Sequence, residues 1–522
     1  MARDLNDILD EIGMGRYHLV QLLLIGGVLI SDGAEIMVSS SVLNALKDVW
    51  HLSGLVRGAM MSIIFVGVCA GGFIGGALAD TYGRRISILT SYMGIVLFGA
   101  ASAAAQDPIS MVCLRFCFGA SFGLGNGAGI SLQVETTPSH WRGHVVNLSS
   151  LWFTLGEIYT AAILMVFMPD LTDPAGELWR YVTLLTIVPG LILLPFTVLL
   201  LHESPHFLLI KGRYEEAVAT TQYMALLNGK AEVANDLVGN DPSQTLSRKL
   251  PNASEHTALV ERRRSFGSTS SSMPAAEASL AAAAGSQARS VRSCWEMLFG
   301  QEYRCIVLGG AYICFLGNFM FYGLTYSLPQ IFAVLKQEMR PALQILITSL
   351  FSLPGVVVAF FLLSSNRIGH RNGLAILAGM AAILQLLMIS IDHGEKWIYL
   401  GLPAAYFAKW TATSFFTIAY VYLGEVFPSS YRAIALSFCL SAGRLGSISA
   451  PLLFQLCHKK DFVVGEHSIF FMITATFALI GVLVIKLALY FELKNEPLQD
   501  FAPVEGKRQE EGYSSTSPAP AG

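Results

Sequence analysis

Charge is what this chain has least of. Only 14% of its 522 residues are Asp, Glu, Lys or Arg, against roughly a quarter in soluble domains. Five stretches contain none at all: Gly58–Ala79, Ile86–Ala105, Tyr181–Leu201, Ala342–Ser365 and Asn372–Ile391. A net charge of −3 leaves no electrostatic footprint for nucleic acid. The eight cysteines are scattered, mostly inside apolar stretches, without metal-ligand spacing or a disulfide framework. No Walker-type lysine loop is present, which argues against an ATP-driven pump. Nor is there a nucleophile triad or metal cluster, so neither an enzyme nor a cofactor is expected. A cleavable signal peptide is not expected either. The first fifteen residues are polar and partly acidic, and the first apolar stretch is too long for an h-region.

What is present is apolar: 53% of the residues are hydrophobic, and mean hydropathy is +0.54. A helix of about 20 apolar residues crosses the roughly 30 Å hydrocarbon core. The bilayer offers a backbone no hydrogen-bond partners, so such stretches must be helical. The pattern predicts helices at about 17–41, 57–79, 86–105, 109–132, 144–168, 180–201, 303–332, 341–363, 372–391, 397–424, 433–457 and 467–491. The expected fold is all-α, with six helices in 1–201 and six in 303–491. Between them lies a polar segment, 202–302, and after them a tail, 492–522. Pro205–Asn228 keeps helical periodicity. The later part of the segment, with Arg262-Arg263-Arg264 and Ala281–Ala284, is too polar to bury a core and is expected to be disordered.

The chain repeats itself. Glu135-Thr-Thr-Pro138-Ser139-His-Trp-Arg142 after the fourth helix matches Glu425-Val-Phe-Pro428-Ser429-Ser-Tyr-Arg432 after the tenth. Asp80-Thr-Tyr-Gly83-Arg84-Arg85 and Asn366-Arg-Ile-Gly369-His370-Arg371 occupy corresponding loops after the second and eighth. Parallel repeats of this kind mark one class of transporter, with substrate held at the interface between halves. Arg84, Arg85, Arg142, Lys211, Arg213, Arg367, Arg371 and Arg432 gather on one side, which the distribution of basic residues makes cytoplasmic, together with both termini. The opposite loops hold fewer: Lys336, Arg340, Lys459 and Lys460. Two glycosylation-type triplets, at Asn147 and Asn252, lie on the cytoplasmic side and are chance matches.

Several motifs resemble the major facilitator superfamily. Gly76-Ala-Leu-Ala-Asp80-Thr-Tyr-Gly83-Arg84-Arg85 resembles its G-x-x-x-D-x-x-G-R-R/K loop, and Arg115-Phe-Cys-Phe-Gly119-Ala-Ser-Phe-Gly123 its helix 4 signature. Glu203-Ser204-Pro205 through Arg213, and Tyr420 through Pro428 with Arg444 through Pro451, narrow the resemblance to the synaptic-vesicle-related and organic ion transporter branch. So does Asp32-Gly-Ala-Glu35-Ile-Met-Val-Ser39, together with Ile12 to Tyr17 before it. The resemblance covers roughly residues 8–500 outside the central segment. It implies a secondary transporter working by alternating access, in the plasma membrane or a vesicle membrane. The chain departs from animal organic ion transporters in its short first loop, about 42–56, and has Asn366 where the first half has Asp80.

Ionisable residues at bilayer depth usually face a cavity. Asp32, Glu35 and Arg115 fall at a similar expected depth. By resemblance, Asp32 with Arg115 is the expected proton-coupling pair, and Glu35 is the next candidate. The alternative is a static pair that fixes helix packing. Arg444 and Lys409 put two cations near the midplane of the second half, with Glu157 as a possible counter-charge. In the family the position of Arg444 is arginine in organic anion carriers and tends to be acidic in cation carriers, so the implied substrate is a small organic anion or zwitterion. Asn318, Tyr322, Thr325 and Tyr326 share one face of the seventh helix, and Trp410 joins Ser414 and Thr417 on the tenth. They are the candidate pocket lining, with ordinary packing as the alternative. Asp80, Arg84, Arg85, Glu135, Arg142 and Glu203, with Glu425, Arg432 and Glu492 as second-half counterparts, are expected to gate the cytoplasmic side, Glu135 pairing with Arg142 and Glu425 with Arg432. A sugar carrier, a cation carrier and a non-transporting protein of the same fold remain the rival readings.

Overall fold

The structure is a computed structural model and describes residues 3–173, 176–238, 246–247, 300, 304–335, 339–364, 369–393, 395–427, 432–457 and 467–489. The first six spans are α2 (Arg16–Val49), α3 (Gly54–Tyr82), α4 (Arg84–Ala103), α5 (Pro108–Thr136), α6 (Arg142–Phe167) and the broken pair α7 (Leu178–Thr186) and α8 (Val188–Leu200). The second six are α12 (Arg304–Val334), α13 (Pro341–Ser364), α14 (His370–Met388), α15 (Glu395–Val426), α16 (Arg432–Cys457) and α17 (Ser468–Ala488). Eleven of the twelve are long and apolar enough to cross a membrane by composition alone. The twelfth, α15, carries Lys409 at its middle. The broad expectation of twelve helices is met.

Two local expectations change. The first span runs to Val49 rather than about 41, so the loop expected at 42–56 shrinks to residues 50–53. Nothing in Val42–Leu46 breaks a helix, and most of it is buried. The sixth span is interrupted at Ile187. Pro189 has no N–H to give to the carbonyl four residues back. That carbonyl, Leu185, instead accepts the Tyr159 hydroxyl at 2.8 Å.

Helix starts follow local chemistry. Ser53 caps α3, and Asp107 caps α5 by accepting from the Ile109 and Ser110 N–H groups at 3.0 Å each. Gly83, at φ +112°, makes the turn between α3 and α4. Within a half, glycines set the helix spacing. A Cβ at Gly67 or Gly71 of α3 would strike the carbonyls of Phe116 or Ala120 of α5, and one at Gly119 of α5 the carbonyl of Ile64. Backbones in contact this closely replace the hydrophobic drive that lipid does not provide.

Ahead of the first span, α1 (Leu5–Ile12) buries Leu5, Ile8, Leu9 and Ile12 completely. Its partners are α9 (Pro205–Ile210), α10 (Tyr214–Leu227) and α11 (Ala231–Val238), the start of the central segment. Asp10 accepts from the Ser139 N–H and hydroxyl, Asn6 accepts from Arg142, and Asn228 bonds both Gly13 and Tyr17. Leu5–Ile12, within the polar-looking N-terminal stretch, is thus an amphipathic helix fastened over the first half. The backbone of Arg3–Asp4 pairs in parallel with Leu246–Ser247. The rest of the segment expected to be disordered lies outside the described residues. Asn147 is 2% exposed within α6, which fits the rejection of its triplet as a glycosylation site.

The glycine seam makes a matched test. Gly71→Val should cost about 1–3 kcal/mol through forced separation of α3 and α5. Gly72→Val should be tolerated, because nothing lies within 4 Å of its missing Cβ. Thermal unfolding of the two variants in detergent would compare them; equal losses would remove close approach as the cause.

Candidate functional site

The halves meet at the face opposite the N terminus. Ser62 of α3 donates to the Ile448 carbonyl of α16 at 2.7 Å, and Ala342 N–H donates to the Pro169 carbonyl at 3.0 Å. Phe65 packs on Tyr322 and Phe153 on Phe321, with ring centroids 4.6 and 5.6 Å apart. The Arg57 guanidinium reaches from α3 to Gln330 of α12 at 3.1 Å and Gln455 of α16 at 3.4 Å. Gln455 in turn donates to Gln330 and to the Tyr326 hydroxyl. Arg57 was not singled out from sequence, because a cation just before a charge-free run reads as a membrane-edge anchor.

Two buried ion pairs lie deeper. Arg115 pairs with Glu35, inside the first half. Ser39 and Thr186 each donate to the Glu35 carboxylate at 3.4 Å. The expected pairing of Arg115 with Asp32 is corrected here: three residues apart on a helix leaves Asp32 and Glu35 only about 60° apart, and the one that turns toward α5 is Glu35. Lys409 pairs with Glu157 across the two halves at 2.8 Å, both 1% exposed or less. Thr325 also receives a bond from Lys409, which sits 3.7 Å from the Phe321 ring centre. Beside this pair a void of about 10 Å³, walled by Met37, Thr325, Thr348 and Lys409 among others, has room for about one water. Glu157 is therefore the counter-charge of Lys409 and not of Arg444.

Arg444 is half-buried on α16. Around it stand Asp32 of α2, Cys69 of α3, Tyr322 of α12 and Tyr420 of α15. Among the described residues no carboxylate comes within ion-pair distance of it. Asp32 is 2% exposed, its Oδ1 lacks a hydrogen-bond partner, and the cation facing it is Arg444. Asn318 supports this wall: it donates to the Tyr420 hydroxyl at 3.2 Å and accepts from Ser447 at 3.0 Å. Of the other expected lining residues, Tyr326 belongs to the Arg57 network. Trp410 packs on Gly355 of α13 instead. Arg444, Asp32, Tyr322, Tyr420 and Asn318 are the cluster that both halves build together.

The expected gating residues come together in the first half with one regrouping. Arg84 bonds Glu135 through two nitrogens at 3.0 and 3.2 Å, and lies 3.7 Å from the exposed Asp80. Glu203 accepts from the backbone N–H groups of Arg84 and Arg85 at 2.9 and 3.2 Å, capping α4. Arg85 donates to the Val198 carbonyl. Arg142 does not pair with Glu135 as expected. It donates to the Thr137 carbonyl and to Asn6, while Arg84 takes Oε1 of Glu135 and leaves Oε2 without a partner. The Glu425 and Arg432 side chains, and Glu492 altogether, lie outside the described residues.

Removing one partner of a buried pair leaves an uncompensated charge, at about 3–5 kcal/mol. Glu35→Gln should therefore lower the thermal stability of the detergent-solubilised protein clearly, by stranding Arg115. Asp32→Asn should not, since its carboxylate has no ion-pair partner in this state. The reverse ranking in a melting experiment would refute the pairing.

The family model described as sugar (and other) transporter matches residues 25–244 and 252–504. A synaptic vesicle 2-related protein of Xenopus laevis is 23% identical over 86% of this chain and 75% of its own length. Organic cation/carnitine transporter 7 of Arabidopsis thaliana is 24% identical over 87% of this chain and 89% of its own. Among solved structures, the partially occluded, inward-open xylose transporter XylE of E. coli superposes with a TM-score of 0.67 at 18% identity, covering 92% of this chain and 99% of that one. With its twelve helices in two sets of six, this chain belongs to the sugar (and other) transporter family of the major facilitator superfamily: it is a multi-pass membrane transporter, not an enzyme.

Proposed function

We propose that the protein is a proton-coupled secondary transporter of a small organic anion or zwitterion. The observation that carries this reading is Arg444: a half-buried guanidinium between the halves, beside two tyrosine hydroxyls, with no carboxylate at ion-pair distance among the described residues. A carboxylate suits that fork through paired hydrogen bonds. Asp32 on the facing wall suits the cationic end of a zwitterion. Carnitine, named for the plant relative, is such a molecule. The other buried cations are engaged: Arg115 and Lys409 have carboxylate partners, and Arg57 has its amides.

Coupling falls to Glu35 and Arg115 in place of Asp32 and Arg115. A proton on Glu35 frees the Arg115 guanidinium and changes the charge balance inside the first half. The face carrying the N terminus is taken as cytoplasmic, on the distribution of loop arginines. The seal at Arg57, Ser62 and Ala342 then closes the outer side, and the protein faces inward.

Uptake into proteoliposomes under an imposed pH gradient tests transport and coupling together. Glu35→Gln should abolish accumulation while leaving exchange. Losing one partner of a buried charged hydrogen bond costs roughly 2–5 kcal/mol, so Arg444→Ala should weaken acid binding about 30-fold or more. Arg444→Lys should recover part of it. Competition among matched acids, amines and neutral analogues reads the outcome. If amines compete best and Arg444→Ala leaves acid affinity intact, Asp32 becomes the main recognition group and the carrier is one for cations.

A further inference from the structure

Among the described residues three Arg or Lys side chains are buried, Arg57, Arg115 and Lys409, and Arg444 is half-buried between the halves. Arg115 and Lys409 are neutralised by Glu35 and Glu157. Arg444 stands beside Asp32, Tyr322 and Tyr420 without an ion pair among the described residues. Arg57 fits neither case. It is 6% exposed, its acceptors are two neutral amides, and its Nε has no partner. Among the described residues no carboxylate reaches ion-pair distance. The acid whose charge acts on it is Asp48, exposed at the end of α2. A guanidinium solvated only by amides is a poor static clasp, since burying an uncompensated charge costs several kcal/mol, by order of magnitude. If the position served packing alone, a neutral residue would close the seal at lower cost.

The position supplies a reason for the charge. Arg57 belongs to the first half, and Gln330, Gln455 and Tyr326 to the second. Any rocking that opens this face draws α3 away from α12 and α16. Arg57 then loses its amide acceptors and stands at the mouth of the new opening with its donors free. We propose that Arg57 is an anion-binding station at the outer entrance, which takes the carboxylate of an incoming organic anion when the seal parts and returns to Gln330 and Gln455 when it closes. The amides hold the guanidinium in place, but they supply neither the countercharge nor the paired oxygens that a carboxylate presents to a guanidinium. The class of ligand is taken from the Arg444 reading; the station itself has a separate test.

The test places a thiol across the seal. In Gln455→Cys, labelling at position 455 by an anionic methanethiosulfonate, carrying a sulfonate, is compared with labelling by a cationic one, carrying trimethylammonium. Both are applied from outside to the full-length protein in membranes, and modified peptides are counted by mass spectrometry. The ratio of the two rates cancels how often the seal opens and reports the local charge. Adding Arg57→Gln should lower the ratio about tenfold, equivalent to about 1.4 kcal/mol, and Arg57→Lys should keep most of it. Benzoate, but not benzamide, should slow labelling when Arg57 is present and have no effect in Arg57→Gln. The same protection should persist in Arg444→Ala, which separates this station from the central site. An unchanged ratio in Arg57→Gln overturns the proposal, and so does a lowered ratio without protection by benzoate. Equal protection by benzoate and benzamide overturns it as well.

Discussion

Hydrocarbon cannot solvate a charge, and the arrangement of this molecule follows from that. Most ionisable groups at depth are neutralised by a partner or kept beside polar groups, and Asp32 and Arg444 stand between the halves without an ion pair. Glu35 and Arg115 neutralise one another within a half; Glu157 and Lys409 do so between halves. The second arrangement has mechanical content, because an ion pair that spans two moving bodies must be broken when they part. The polar bonds across the seal act in the same direction as the ring contacts beneath it, so one face is closed by several weak constraints together.

The same solvent constraint governs the backbone. Pro189 frees a carbonyl in the sixth span, and a tyrosine hydroxyl from the fifth occupies it. Glycines let helices of one half touch along their backbones, while larger side chains fill much of the interface between halves. Each half is thereby stiff within itself, and the surface between the two is where side chains can exchange partners.

Much of this was legible in the sequence, because the bilayer imposes few solutions. Apolar stretches of about twenty residues, five of them free of charge, marked the spans, and loop motifs repeated at matching offsets marked the two halves. The acids and bases at depth could be named one by one. Their partners could not. Asp32 and Glu35 lie on nearly the same face of one helix, and only packing decides which meets Arg115. Glu135 had two nearby arginines to choose from and bonded Arg84. Trp410 shares a helical face with pocket candidates yet turns to α13. Arg57 was overlooked because a cation at a span's edge looks the same whether it anchors or bridges. The amphipathic first helix was missed because its four apolar residues are hidden in a polar composition, and their partners come some two hundred residues later.

That separation has a consequence for how the chain is made. Leu5, Ile8, Leu9 and Ile12 leave the ribosome long before Leu208, Ala217 and Met224, the residues that cover them. At roughly 5–20 residues per second, the wait is on the order of ten to forty seconds, during which six spans must be inserted. The polar face of the first helix carries Asp7, Asp10 and Glu11 and no Lys or Arg, so it lacks the basic groups that hold an amphipathic helix at a lipid surface. Its four apolar residues therefore have no cover from their final partners while the six spans are built, and gain it only when α9 and α10 arrive. Docking of the N terminus marks the completion of the first half, before the second half has begun to enter the membrane.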